Sequence, residues 1–268
     1  MARAKARSIG QRVADPYSLP VPRFDAIICD IDGCLGPESS APLDAASLTR
    51  IAEHNRRAEL LGDVPVLTLC SGRPQPFVEC LCRLLNNTTV PCVAEMGVWV
   101  FDPRTQGFHL DPAILPEHLA AVREAERWVR VDLLPRGVVV QPGKTASISL
   151  WHPDTAALFT LKPMLVERFA RESWPLRVSN TVAWINCDLA HVSKETGLRR
   201  AMTMVGLRRE RLAGIGDTLG DLAIRDNVAW FGCPSNAAPE LKARADYVSP
   251  RPEVEGVLDI LAGLSANR

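Results

Sequence analysis

A set of short apolar runs without period-two alternation constrains the fold of this chain most strongly. These runs are AIICD (26–30), VPVLTLC (64–70) and VPCVAE (90–95). Strands that are buried on both faces of a parallel sheet have this pattern, whereas half-exposed strands alternate apolar and polar side chains. The runs therefore predict the central strands of a parallel sheet.

Helical segments lie between these runs. Asp44 is a suitable N-cap for a helix that reaches about Leu61, and Pro74 favours the start of a second helix that reaches about Leu85. Because strands that alternate with helices form parallel sheets covered on both faces, we predict an α/β fold with a doubly wound, Rossmann-like parallel-sheet core.

The middle of the chain has a different order: one helix, two strands, one helix and two strands. The predicted segments are 116–130, 138–141, 147–151, 154–172, 176–179 and 182–187. This order is typical of an open sheet with two helices on one side, and the strand–helix alternation returns after Ser193. We therefore predict an inserted α+β cap domain.

These patterns divide the chain into four parts. We predict a tail at 1–23, a first core part at 24–107, the cap at 108–188 and a second core part at 189–268. The basic, proline-containing start predicts a flexible or loosely docked tail, although an arginine-rich and acid-poor start also resembles an organelle transit peptide.

Composition excludes some classes of protein. Lysine and arginine number 31, as do aspartate and glutamate, so a broad basic surface for nucleic acid is not expected. No apolar run approaches the roughly 18 residues of a membrane span. The eight cysteines form no CxxC pair, and a secretory signal is not apparent. A disulfide framework is therefore less favoured than free thiols in a cytoplasmic protein.

The first candidate site follows the run at 26–30. Asp30, Asp32 and Gly33 lie where a parallel strand would end, and ligands of open α/β sheets bind outside the carboxyl ends of strands. Two carboxylates this close repel each other unless a cation or a proton is shared. A simple turn is the alternative, since Asp and Gly are common turn residues.

A second group of residues is suited to bind an anion. Ser71, Gly72 and Arg73 precede Pro74, and helix N-termini bind anions through free N–H groups. Lys194 opens another predicted helix, where its charge opposes the helix dipole unless an anion compensates. The alternatives are an ordinary helix start and a surface lysine.

Two more carboxylates follow a later strand, in the segment GIGDTLGD (214–221). Asp217 and Asp221 are the oxygen ligands that a hard divalent cation such as Mg²⁺ prefers. Since all these groups fall at strand ends or helix starts of one sheet, together they indicate a phosphate and magnesium site.

Four ordered segments resemble the motifs of the haloacid dehalogenase-like (HAD) phosphatases. They are DIDGCL, CSGRP, VSKETGLRRAM and GIGDTLGD. The segments AEMGVWVFD and SNAAPELKARADYVSP also resemble features of subfamily IIB, the Cof-type sugar-phosphate phosphatases. The resemblance covers about 24–102 and 188–261, and the family places its large cap between the second and third motifs.

The resemblance implies a role for each matching residue. Asp30 would be the nucleophile that forms an aspartyl-phosphate, and Asp32 the general acid and base. Phosphate would be bound by Ser71, Gly72 and Lys194, and Mg²⁺ by Asp30, Asp217, the Asp32 backbone carbonyl and Asp221 as a ligand or a support. Arg73 and Asn236 are candidates for substrate contacts. Apart from the resemblance, polar or amphipathic residues in or beside the cap could contact the leaving group, with a structural or solvated role as the alternative for each: Arg136, Lys144, Trp151, His152 and His191.

Three positions depart from the family pattern: Cys34 stands where the family usually has Thr, Gly220 stands where Asn is frequent, and Met96 replaces the Asn of the hairpin. Cys34 places a thiol near the nucleophile, so oxidation could inhibit the enzyme. We expect a magnesium-dependent phosphatase that acts on a small phosphorylated metabolite, either a sugar phosphate or an organic acid phosphate. The alternatives are a phosphomutase and a catalytically silent regulatory or binding protein of the same fold.

Overall fold

The computed structural model describes residues 23–38 and 41–266, so the predictions for residues 1–22 lie outside it. Its strands are β1 (Ala26–Cys29), β2 (Val66–Leu69), β3 (Cys92–Ala94), β4 (Trp99–Asp102), β5 (Gly107–Leu110), β6 (Val139–Val140), β7 (Ser147–Trp151), β8 (Leu176–Asn180), β9 (Trp184–Leu189), β10 (Leu212–Ile215), β11 (Trp230–Cys233) and β12 (Tyr247–Val248). Its α-helices are α1 (Ala45–Leu61), α2 (Gln75–Leu84), α3 (Pro116–Asp132), α4 (Thr155–Thr160), α5 (Lys162–Arg171), α6 (Lys194–Val205), α7 (Leu222–Arg225), α8 (Pro239–Lys242) and α9 (Glu253–Ala266).

A parallel sheet with the strand order β12-β11-β10-β1-β2 forms the core. All four residues of β1 are buried, as its unbroken apolar run predicts. The chain moves outward from β1 to β2 and later returns to β10 on the other side of β1. The predicted doubly wound sheet is therefore confirmed, and the crevice between the ends of β1 and β10 is the position where such sheets bind ligands.

A small antiparallel sheet, β3-β4-β5, stands beside the parallel one. An isolated bridge between Cys70 and Val93 joins it to the end of β2. The sequence did not indicate β5, because GFHL is short and only partly buried. The predicted boundary between residues 107 and 108 is corrected here, since it cuts β5, which pairs with β4 on the core side.

The inserted segment forms an antiparallel sheet with the order β6-β7-β9-β8. Ile148, Leu150, Ile185 and Cys187 point to one face and pack in a single apolar cluster with α3, α4 and α5. The polar side chains of β7 and β9 alternate with them and therefore lie on the other face. The predicted end of the cap at residue 188 falls one residue before the end of β9.

The predicted single helix over 154–172 is wrong in one respect, because the structure has two helices, α4 and α5. Pro163 is the second residue of α5. Proline has no N–H to donate, and its ring clashes with the carbonyl four residues earlier, which here belongs to Phe159. The chain therefore turns at Leu161 before the second helix begins.

All eight cysteines are free thiols, and each except Cys80 is buried. Burial, followed by a contact with Cys29, raises the pKa of Cys34 well above its usual value. A protonated, buried thiol is a poor target for oxidation, so the structure does not favour redox control through Cys34.

Within the described residues, no helix has the length and apolar character needed to cross a membrane.

Asn55 on α1 ties three elements of the core together. Its side-chain amide donates to the carbonyls of Leu67 on β2 and Leu85 after α2, at 3.0 and 2.8 Å, and its oxygen accepts from the Leu67 N–H at 2.7 Å. The side chain is buried, so substitution would leave these backbone groups without partners in an apolar environment.

We expect Asn55→Ala to lower the free energy of unfolding by about 2–4 kcal/mol, because three buried hydrogen bonds are lost. Urea unfolding followed by circular dichroism measures the change. Arg56→Ala on the exposed side of α1 is the matched control, for which we expect a change within about 0.5 kcal/mol. Equal effects of the two substitutions would contradict this role of Asn55.

Candidate active site

Asp30, Lys194 and Asp221 meet at the carboxyl end of the parallel sheet. Asp30 follows β1, and Lys194 is the first residue of α6, whose N-cap is Ser193. The Lys194 ammonium lies 2.7 Å from Asp30 Oδ2 and 2.7 Å from Asp221 Oδ1, and all three side chains are buried. The sequence placed these residues at one edge, and the structure joins them through one ammonium.

Charges in this cluster shift one another's protonation. Burial, and then the charge of Asp221, raises the pKa of Asp30 well above its usual value. For Asp221, burial acts to raise the pKa, but the charge of Lys194 and the hydrogen bonds from Lys194, Thr218 and Asp217 together lower it. Burial alone would lower the pKa of Lys194, but the two carboxylates raise it well above its usual value. Lys194 is therefore charged and bound on both sides.

Asp217 supplies a third buried carboxylate after β10. One oxygen each from Asp30, Asp217 and Asp221 lie within 4.8 Å of one another. Asp217 Oδ1 is buried and has no hydrogen-bond partner among the described residues, while burial and then Asp221 raise the pKa of Asp217 to about 8. Three carboxylates against one ammonium leave two negative charges, so the donor set fits a divalent cation bound by oxygen.

The structure distinguishes the carboxylates that were predicted to hold the metal. Asp221 is already satisfied: Oδ1 binds Lys194, and Oδ2 accepts from the N–H groups of Asp217 and Thr218 at 3.1 and 3.0 Å. It thus supports the loop that presents Asp217. The Asp32 side chain is not part of the three-carboxylate group. It is paired with Arg73 instead, whose Nε lies 2.9 Å from each Asp32 carboxylate oxygen.

Arg73 therefore orients Asp32, which the sequence did not show. Its guanidinium also lies over the ring of Phe77, 5.2 Å from the centroid. The preceding residues complete this corner: Ser71 is fully buried and its Oγ accepts from the Arg73 N–H at 3.2 Å, while Gly72 borders the open cavity.

Gly33 lets the loop after β1 approach Asp217. Its φ is +71°, and a Cβ at this position would lie 1.9 Å from Asp217 Oδ2. A side chain here would displace the carboxylate with the unpartnered oxygen. The requirement for glycine thus comes from both the backbone conformation and the close approach.

A cavity of about 320 Å³ lies between this cluster and the polar face of the cap sheet. On the core side it is bordered by Asp30, Asp32, Gly72, Arg73 and Lys194. The cap side adds Gln141, Lys144, Ser179, Asn180, Thr181, Trp184, Asn186 and Asp188. In SISLW and WINCDL, polar residues occupy alternate positions. This alternation is the sequence signal that could have indicated part of the cavity surface.

Of the predicted substrate contacts, Arg73 and Lys144 border the cavity. Asn236 does not: its amide donates to the Gly33 carbonyl at 2.8 Å, and its oxygen accepts from the Glu253 N–H at 2.8 Å. It ties the loop after β11 to the loop after β1. The other predicted contacts do not border this cavity: Arg136, Trp151, His152 and His191.

Glu95 connects the core to the cap. Its Oε1 accepts from the N–H groups of Thr145 and Ala146 at 2.8 and 2.7 Å and from the Ser147 hydroxyl at 3.0 Å, and Oε2 accepts from the Thr145 hydroxyl at 3.0 Å. The side chain is fully buried. Glu95 thus fixes the start of β7 above the site.

The turn that holds Glu95 has an unusual backbone. Glu95, Met96 and Gly97 have φ values of +50°, +56° and +103°. Non-glycine residues rarely adopt this region, and asparagine does so more readily than methionine, so the Met96 departure falls at a strained position. A Cβ at Gly97 would lie 2.1 Å from the Ser193 carbonyl, so glycine permits contact with the start of α6.

A second contact closes the opposite side of the cavity. Glu38, in the loop after β1, accepts a hydrogen bond from the Val182 N–H in the β8–β9 turn at 3.2 Å. Burial raises the pKa of Glu38. Carboxylates of the core therefore hold backbone N–H groups of the cap at two separate points.

The fold and part of the sequence are similar to those of haloacid dehalogenase-like proteins. Residues 184–261 match the family model described as haloacid dehalogenase-like hydrolase. The structure of a HAD/COF-like hydrolase from Plasmodium vivax has the same fold, with a TM-score of 0.69, 16% identity and coverage of 92% of this chain and 96% of that chain. The structural likeness shows the shared fold, and the family-model match extends from β9 into α9.

Two curated relatives share a name. A phosphoglycolate phosphatase of Methanothrix thermoacetophila is 33% identical over 92 residues, which are 34% of this chain and 41% of the relative. That match spans less than half of the relative's length. A phosphoglycolate phosphatase of Methanospirillum hungatei is 23% identical over 240 residues, which are 88% of this chain and 94% of the relative.

We expect Glu95→Ala to lower the free energy of unfolding by about 3–5 kcal/mol, because four donors of the cap lose a fully buried acceptor. Urea unfolding measures the loss. Glu95→Gln keeps an acceptor oxygen and should lose less. Glu124→Ala on the exposed face of α3 is the control and should change stability by less than about 0.5 kcal/mol. A Glu95→Ala protein as stable as this control would exclude the anchoring role.

Proposed function

We propose that this protein is a magnesium-dependent phosphatase that hydrolyses a small phosphorylated metabolite through an aspartyl-phosphate. One observation carries the proposal: a lysine bound to two buried carboxylates stands beside a third carboxylate that has an unpartnered oxygen. The cluster opens into a cavity large enough for a small molecule. Such a site combines an anionic nucleophile with positive charge for phosphate.

The phosphate group would lie against Lys194, Ser71 and Gly72. Lys194 offers an ammonium that is already held in place, and Gly72 leaves room for a phosphate oxygen beside the start of α2. Charge neutralisation and positioning dominate phosphoryl transfer, so a rigid ammonium is more useful here than a flexible surface lysine.

The three carboxylates of the cluster fit a magnesium ion, which would supply the positive charge that Lys194 alone does not provide. Asp30 and Asp217 would hold it, the Asp32 carbonyl is a further candidate, and Asp221 would support Asp217 and Lys194. Bound there, magnesium would neutralise charge on the transferring phosphoryl oxygens. Because burial and the charge of Asp221 raise the pKa of both Asp30 and Asp217, a bound cation would favour the ionised form of both.

The reaction would proceed in two steps. First, an Asp30 oxygen forms a bond to phosphorus while the bond to the ester oxygen breaks, and Asp32 gives its proton to the leaving oxygen. Second, Asp32 accepts a proton from water as the water oxygen attacks phosphorus, and the Asp30–phosphorus bond breaks. Inorganic phosphate is released, and Asp30 and Asp32 return to their starting states.

The names of the relatives support hydrolysis of a phosphate ester. Both curated relatives described above are called phosphoglycolate phosphatases. Those names belong to those proteins, and the first match covers only 41% of its relative. They support phosphatase chemistry here, while the leaving group of this protein's own substrate depends on its cap.

We expect Asp30→Asn to lower kcat by at least about 10³-fold, or roughly 4 kcal/mol of barrier, because the amide is a poor nucleophile. Release of p-nitrophenol from p-nitrophenyl phosphate in the presence of magnesium measures the rate. Asp226→Asn on the exposed end of α7 is the matched control and should keep wild-type activity. Retention of one tenth of the activity by Asp30→Asn would show that another group is the nucleophile.

We expect Asp217→Asn to weaken magnesium binding, because it replaces the carboxylate whose oxygen lacks a partner. Calorimetric titration measures affinity directly, and thermal unfolding with magnesium gives a second readout. A ligand at 100 times its Kd stabilises the folded state by about 2.7 kcal/mol. The wild type and Asp226→Asn should show this stabilisation; an unchanged titration for Asp217→Asn would remove it from the metal site.

A further inference from the structure

The polar face of the cap sheet contains a buried carboxylate without a donor. Asp188 on β9 borders the cavity and is 2% exposed. Neither of its carboxylate oxygens has a hydrogen-bond partner among the described residues. Burying a polar group without hydrogen bonds is unfavourable, and a buried charge is worse still. The Asp188 carboxyl group therefore lacks hydrogen-bond donors until a ligand in the cavity supplies them.

The neighbours of Asp188 do not fill this need. Ser147 and Arg177 stand opposite it on β7 and β8. The Ser147 hydroxyl donates to Glu95, and Arg177 donates to the carbonyls of Ala190 and Val192. Their hydrogen bonds are directed elsewhere, so the missing donors must come from the cavity side.

Lys144 does not complete Asp188, because its hydrogen bond goes to another residue. Its ammonium donates to the Ser149 hydroxyl, which donates to Asn186 Oδ1, each at 2.5 Å. Among the described residues, neither Asp188 oxygen has a hydrogen-bond partner, so Lys144 does not donate to it. Burial raises the pKa of Asp188 and lowers the pKa of Lys144, and the attraction between the two groups opposes both shifts. Neither group completes the hydrogen bonding of the other, so both can bind a polar ligand.

The other cap residues suit a neutral, hydroxyl-rich ligand. Gln141, Asn180 and Asn186 offer amide groups, and the Trp184 ring supplies an apolar surface for C–H groups. A carboxylate on the cap side would meet Asp188 and Glu38. The cations that border the cavity already have partners: Arg73 binds Asp32, Lys194 binds Asp30 and Asp221, and Lys144 donates to Ser149. Hydroxyl groups would instead donate to Asp188 and accept from Lys144.

On the basis of the proposed phosphatase function, we propose that Asp188 is a specificity-determining residue. Its carboxylate accepts hydrogen bonds from hydroxyl groups of the leaving group. The enzyme would therefore select phosphate esters of polyhydroxylated alcohols over phosphate esters of hydroxy acids. The chemistry of the phosphoryl group stays with the core residues, and Asp188 acts on the other half of the substrate.

Kinetics with two esters test the proposal. We expect the wild type to have a kcat/KM at least tenfold higher for glucitol 6-phosphate than for phosphoglycolate. Asp188→Asn should lower kcat/KM for glucitol 6-phosphate by about 10- to 100-fold, mainly through KM, since hydrogen bonds to a charged group are lost. The value for phosphoglycolate should rise, because a negative charge has been removed. Asp132→Asn, on the exposed end of α3, should change neither value.

Equal loss of kcat/KM for both esters after Asp188→Asn would show that Asp188 is merely structural. A wild-type preference for phosphoglycolate would overturn the proposed selectivity.

A binding experiment without hydrolysis distinguishes failure of the selectivity proposal from failure of the phosphatase proposal. Glucitol and glycolate are titrated calorimetrically into the wild type, a measurement that also serves if Asp188→Asn does not fold. Tighter binding of glucitol supports the inference even if no ester is hydrolysed, whereas equal or weaker binding of glucitol contradicts it.

Discussion

The ammonium of Lys194 is the interaction around which the rest of this site is arranged. Asp30, Asp217 and Asp221 converge because β1 and β10 are adjacent parallel strands, but three buried carboxylates repel one another strongly. Lys194 offsets part of that repulsion by binding Asp30 and Asp221. The requirement for a buried ammonium here fixes where α6 must start, and the excess of negative charge makes the same cluster a receptor for a divalent cation.

The cap is positioned by the same kind of interaction in a different place. Glu95 and Glu38 are carboxylates of the core that accept hydrogen bonds from backbone N–H groups of the cap. Backbone donors have little conformational freedom, so these contacts set the position of the cap sheet more closely than exposed ion pairs would. The strained backbone at Glu95 and Met96 is retained because four hydrogen bonds depend on it.

The parts of this structure that could be predicted from sequence are those set by local patterns. Unbroken apolar runs identified β1 and β2 of the parallel sheet, whereas the run at 90–95 forms β3 of the antiparallel sheet. The acids that follow β1 and β10 identified Asp30 and Asp217, because parallel strands place their carboxyl ends at one edge. The pairing of Arg73 with Asp32, the contacts of Glu95 with the cap and the use of Asn236 as a loop tie join residues far apart in sequence. No local pattern encodes such contacts, and β5 was missed because four partly buried residues carry too little periodicity.

The two halves of the cavity illustrate two ways in which a fold can hold a buried charge. In the core, each charge of Asp221 and Lys194 is met by a fixed partner, so this half is suited to a group that every substrate shares. In the cap, the uncompensated oxygens of Asp188 are tolerated because the opposite face of the same sheet buries Ile148, Leu150, Ile185 and Cys187 against three helices. Hydrophobic burial on one face of β7 and β9 therefore stabilises a polar face that is incomplete without a ligand, and selectivity can reside in the cap without disturbing the charge balance at Lys194.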